Sequence, residues 1–151
     1  MPKLNLVAIG CLMLGAGRAL AADPTTDPCS LLTPAEVEHA IGKLRATPKQ
    51  NVIDRARMCD YELANDSVGL SVWLLPAVGL DRARKEYPEL TVVKGLGSEA
   101  FIHRNERFGL IELFARKGSA TLQMSVPLAT GDASKLQALA GKALARLPAS
   151  G

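Results

Sequence analysis

Residues 29–42 read CSLLTPAEVEHAIG, and this stretch decides the fold. Thr33 is a good N-cap, because its hydroxyl can accept from the backbone N–H groups left free in a first helical turn. Pro34 falls at N1, where its missing N–H costs nothing and its fixed φ suits the helix. Glu36 at N3 can reach back to the Thr33 N–H and complete a capping box. Leu32 and Val37 have the spacing of a hydrophobic staple. Val37, Ala40 and Ile41 form an apolar stripe, and Gly42 supplies the stop. The stretch predicts one short amphipathic helix, introduced by a cysteine, that lies against a sheet built from the rest of the chain.

Upstream, the chain opens with Lys3, an apolar run over 4–16 and the small-x-small triplet Ala19-Leu20-Ala21. That pattern predicts a secretory signal peptide over 1–21, too short and Gly-interrupted to span a membrane. A lipobox at Cys11 would leave an apolar run shorter than the ~7–15 residues such a segment needs. The polar stretch 22–28, with Pro24 and Pro28, reads as a flexible leader. The formal charge is +3. Lys3 and Arg18 carry two of those units in the signal segment, so the remainder of the chain is nearly neutral, which argues against a nucleic-acid partner. Removing the signal segment also leaves Cys29 and Cys59 as the only cysteines. In an exported chain two cysteines are expected to form one disulfide, the other reading being two buried thiols.

Downstream, residues 43–57 lack a clean period and read as loop, with room for a short edge strand at the start. Residues 58–63 alternate, with Cys59, Tyr61 and Leu63 on one side and Asp60 and Glu62 on the other. A turn at 65–67 leads to a second alternating run with Val68, Leu70, Val72 and Leu74 inward, so the two runs form a hairpin. Residues 80–87 read as a short helix stopped by Pro88. Three more strands come at 99–103, 109–116 and 119–127, with Lys117-Gly118 as a hairpin turn. Asp132 caps a last amphipathic helix whose apolar positions are Leu136, Leu139, Ala140, Ala143 and Leu147. The expected fold is a single α+β domain over 29–148, an antiparallel sheet of about five strands with helices on one face, and one disulfide.

Three ordered blocks carry a family resemblance. They are DPCSLLTPAEVEHAIG at 27–42, the second cysteine beside an aromatic residue in Cys59-Asp60-Tyr61, and the turn VKGLGSEAF at 93–101. Together they resemble a group of small bacterial exported domains of unknown function, many of them lipoproteins or secreted proteins of actinobacteria. The resemblance spans roughly residues 27–126. It implies an exported α+β domain with a Cys29–Cys59 bridge, and it brings no catalytic residue with it. The chain departs from the group in its lipobox.

No catalytic constellation stands out. His39 and His103 are the only histidines, and neither has a further His, Cys or acid at metal-ligand spacing, so no metal and no cofactor are expected. There is no G-x-S-x-G elbow. Gly95-Leu96-Gly97 lacks the lysine of a phosphate loop and reads as a turn requiring positive φ. The clusters at 82–85 and 103–107 read as a solvated helix face and a hairpin tip. Trp73 falls outside the inward set of its strand, either covered by 43–57 or exposed as a contact. With helices on one face, the other face would present Trp73, Thr121, Gln123 and Ser125, with Arg104 and Arg107 at a nearby tip. Such a composition suits polar or anionic partners. The functional expectation is an exported periplasmic or secreted module that is not transmembrane and binds an envelope protein, glycan or small ligand without catalysis. The alternatives are an enzyme of unrecognised kind, such as a hydrolase, and a structural accessory domain.

Overall fold

The computed structural model describes residues 26–54, 56–65 and 69–148. The signal-peptide reading, the start of the leader and most of the 65–67 turn lie outside them. The elements run α1 (Pro34–Ala40), β1 (Lys49–Ile53), β2 (Ala56–Tyr61), β3 (Leu70–Pro76), α2 (Val78–Glu86), β4 (Thr91–Val92), β5 (Glu99–Asn105), β6 (Leu110–Lys117), β7 (Ala120–Pro127) and α3 (Ala133–Arg146). Among the described residues this is an α+β fold with one seven-stranded sheet, ordered β1-β2-β3-β7-β6-β5-β4 and antiparallel throughout.

The opening stretch folds as its local chemistry dictates. The Thr33 hydroxyl accepts from Glu36 N at 3.3 Å, and Glu36 Oε2 accepts from Thr33 N at 2.9 Å, closing the capping box. Asp27 Oδ1 accepts from Cys29 N at 2.8 Å, and Pro28–Ser30 forms a 3₁₀ turn with Pro28 buried. An Asx-type bond of this kind offers the backbone a local turn in place of a solvated chain.

Cys29 and Cys59 are joined in a disulfide, with Cα atoms 5.1 Å apart across a sequence separation of 30. The Tyr61 hydroxyl donates to Leu32 O at 2.9 Å. Burial pushes its pKa up to about 12, and the nearby carboxylates of Asp27 and Glu36 push the same way. From the far end of the chain, Arg146 donates to Leu31 O at 2.8 Å and to both oxygens of Glu36 at 2.6 and 2.8 Å. Sheet and C-terminal helix thus grip the same short segment. Lys117, beside the β6–β7 turn, donates to Leu144 O and Leu147 O at 2.6 and 2.7 Å, satisfying carbonyls at the end of α3.

The sheet corrects two expectations. It has seven strands rather than about five, because β1 and β4 are full members. Every residue of both is exposed, so neither shows an inward set, and only backbone pairing identifies them. Nor do the helices share one face. α1, α3 and the 3₁₀ turn cover the face formed by Cys59, Val72, Leu74, Leu113, Leu122 and Met124. α2 covers the other, where Leu80 and Ala83 pack with Phe101 and Phe114, flanked by Tyr87 and Leu90. Phe101 and Phe114 are direct partners across β5 and β6. Two adjoining phenylalanines on the second face need an apolar cover, and α2 supplies it.

The glycine turn at 95–97 has positive φ at both glycines, +80° and +60°. At Gly97 a Cβ would also stand 2.1 Å from Arg116 O, so the chain passes β6 too closely for any side chain.

Candidate functional site

Register places two rows of side chains across the second face. Antiparallel partners share a face, so Phe101, Phe114, Gln123, Trp73 and Met58 form one row, each opposite the next. The adjoining row, in the same order of strands, is His103, Glu112, Ser125, Ser71 and Asp60. An aromatic row thus lies beside a polar, acidic one.

α2 covers only part of this surface, and it is fixed there by polar contacts. The Thr121 hydroxyl and the Arg116 guanidinium both donate to Ala77 O at 3.3 Å, and Arg116 also reaches Asp81 at 2.8 Å. Arg84 pairs with Glu99 and lies 4.7 Å over the Phe101 ring. Between α2 and the uncovered strands runs an open groove of about 640 Å³. Trp73, Gln123 and Phe114 lie along its floor. Val78, Arg82 and Glu86 form the α2 wall, Ile53 and Asp54 one end, and Glu112 with Tyr87 the other.

Glu112 is 6 % exposed. Asn105 Nδ2 donates to its Oε2 at 3.1 Å and Gln123 Nε2 to its Oε1 at 3.4 Å. Asn105 is itself held, accepting from Phe108 N at 3.3 Å. No ion pair involves Glu112 among the described residues. Burial raises the pKa of Tyr87, with Glu112 and Glu86 adding to the effect. On the same acidic row, Asp60 accepts from Ser71 Oγ at 2.7 Å and from Asn51 Nδ2 at 3.2 Å.

Of the residues singled out from sequence, Trp73 and Gln123 stand directly opposite one another on the groove floor, with Ser125 beside them. Thr121 is fully buried beneath α2 and presents no surface. Arg104 and Arg107 do not join the group. Arg104 pairs in register with Ile111, a core residue of the first face, and its Nε lies 2.5 Å from Glu106. Arg107 extends over the Phe108 ring at 5.4 Å. Without these guanidiniums the expected suitability for anionic partners loses its basis. Of the 43–57 segment, β1 pairs beside β2, and Ile53, Asp54 and Ala56 line the same groove as the half-buried Trp73.

Glu112 escaped sequence reasoning, although a signal was present. In Ile111-Glu112-Leu113-Phe114-Ala115 a single acid interrupts a run that is apolar on both faces. Such a run marks a strand covered on both sides, where an acid is shielded from water. Of the histidines, His39 is exposed on α1. His103 stacks on Tyr87 at 4.3 Å, with Nδ1 3.4 Å from Glu89 O. Among the described residues no group of three or more His, Cys, Asp or Glu side chains could hold a metal ion. No helix among them is long and apolar enough to cross a membrane.

Comparison with protein-family models, curated proteins and solved structures returns no match. Chemically, the groove offers aromatic faces for an apolar body. Two of its polar groups, Gln123 and Glu112, are bonded to each other, and Asn105, outside the lining, holds the other oxygen of Glu112.

Proposed function

We propose that this chain is an exported envelope module that binds a small molecule in the groove between α2 and the β2-β3-β7-β6 surface, without turning it over. One observation carries the proposal. The second face of the sheet is covered by a single short helix, leaving a cleft of about 640 Å³ floored by Trp73 and Gln123. That volume is in the range of small-ligand sites, roughly 300–1,000 Å³, which combine apolar lining with a few fixed polar groups. The disulfide suits an oxidising compartment, which supports export.

Trp73 is the only tryptophan in the chain, so its fluorescence reports on the groove directly. Titration with a panel of aryl compounds of negative, zero and positive charge is expected to give a saturable change in Trp73 emission for at least one class. Amide chemical-shift changes should concentrate on Trp73, Gln123, Ser125 and the α2 wall. A panel that shifts neither, with the fold intact, refutes the groove as a binding site.

A further inference from the structure

We infer that the groove selects an organic cation, a protonated primary amine on an aryl or alkyl body. This inference rests on the groove reading above and narrows its ligand class. The fold treats two of its shielded carboxylates differently. The Glu36 side chain, 18 % exposed, is met by Arg146 at 2.6 Å and Lys142 at 3.5 Å. Glu112 is shielded more deeply, at 6 % exposure, yet it receives two neutral amide donors and no cation among the described residues. A buried carboxylate without a counter-charge is costly. Glu112 also borders an open groove, so a ligand can bring the missing charge.

The rest of the lining agrees. Its described acids are Asp54, Glu86 and Glu112, against one base, Arg82, which is engaged by Glu86 at 3.3 Å. The remaining field is negative and repels anions. Trp73 and Tyr87 offer ring surfaces to the same space, which attract a cation and pack its apolar body. Ser125 stands opposite Glu112 in the β6–β7 register, placing a hydroxyl next to the carboxylate. An ammonium with N–H donors matches a carboxylate and a hydroxyl. A quaternary ammonium brings the charge but no N–H donor, so it forgoes the charge-assisted hydrogen bonds.

The test uses the intact protein, Trp73 emission and four probes of similar shape: 2-phenylethylamine, 2-phenylethanol, 3-phenylpropanoate and phenylethyl-trimethylammonium. The primary amine is expected to bind about tenfold or more tighter than the alcohol, which corresponds to one charge-assisted hydrogen bond. The carboxylate probe is expected to bind most weakly. Glu112→Gln should abolish the preference for amine over alcohol, and Glu112→Asp should keep it. Equal affinity for amine and alcohol overturns the inference while leaving the groove as a binding site. A trimethylammonium probe that matches the primary amine overturns the assignment to a primary amine, since charge alone, without N–H donors, would then explain selection; an amine preference that survives Glu112→Gln overturns the assignment to Glu112. If no probe changes either Trp73 emission or the amide shifts along the groove, both the inference and the groove reading fall. Should Glu112→Gln not fold, the probe series on the unaltered protein decides by itself.

Discussion

The two faces of the sheet are built from the same strands, residue alternating with residue, yet they are finished differently. On the face covered by α1 and α3, apolar side chains from the sheet, both helices and the 3₁₀ turn merge into one cluster. Its polar attachments all close on themselves: the disulfide, the Tyr61–Leu32 bond and the Arg146–Glu36 pair. On the other face, a small cluster around Phe101 and Phe114 holds α2 in place, and the surface beyond it is open. The apolar packing is concentrated on the first face, and the second is left partly uncovered. Substitutions can therefore be sorted by face, and the sorting can be broken by experiment.

The largest effect is expected from the bridge. Replacing Cys29 and Cys59 together by serine should lower stability by about 3.5 kcal/mol, the entropic value for closing a loop of ~30 residues. This is measurable as a shift in the urea midpoint. Next comes a cavity on the closed face. Leu113→Ala removes a fully buried side chain and should cost about 3 kcal/mol. Trp73→Phe on the groove floor should cost less than about 1 kcal/mol and remove the fluorescence response. If Trp73→Phe destabilises as much as Leu113→Ala, the division between the faces is wrong.

Between the cavity and Trp73→Phe in size falls an effect at Glu36, which carries a pH signature. Hydrogen bonds from Arg146 and from the Thr33 backbone, together with the Arg146 charge, hold the Glu36 carboxyl well below its ordinary value of 4.5. The native state therefore binds a proton here less readily than the unfolded chain. Its contribution is fully present above about pH 4.5 and is lost as the pH falls toward the native pKa. Glu36→Gln should cost about 1–2 kcal/mol near neutrality. The difference from the unaltered protein should shrink steadily below about pH 4.5 in denaturation curves. A difference independent of pH would mean that packing of the side chain, not its charge, holds α1.

Helix positions were legible because each carried local chemistry: the Thr33–Glu36 box for α1, the Asp132 cap for α3, and an apolar stripe before Pro88 for α2. The central strands were legible from alternation, as in Tyr61, Val72 and Met124. What alternation does not encode is which face a helix covers. The stripe of α2 requires a partner without specifying one, so its docking on Phe101 and Phe114 emerged only from register. The edge strands were hidden for a different reason. Lys49–Ile53 buries no residue, and it is a strand because its backbone pairs with β2. Half of the candidate site, Trp73 and Gln123, was visible as the odd members of alternating runs. The other half, Glu112 beside Asn105, depends on a pairing across β5 and β6 that one strand alone cannot display.

The strand order has a consequence for how the molecule assembles. β1-β2-β3 and β4-β5-β6-β7 are each meanders of near neighbours, whereas the junction of β3 with β7 pairs residues 71–76 with 120–125. Local hairpins close across short loops, and the distant pairing must bear the larger loop-closure entropy. Trp73 and Gln123 face each other across that junction. The groove floor therefore comes into being only when the two halves of the chain join. Any molecule seated on it holds the halves together and slows their separation.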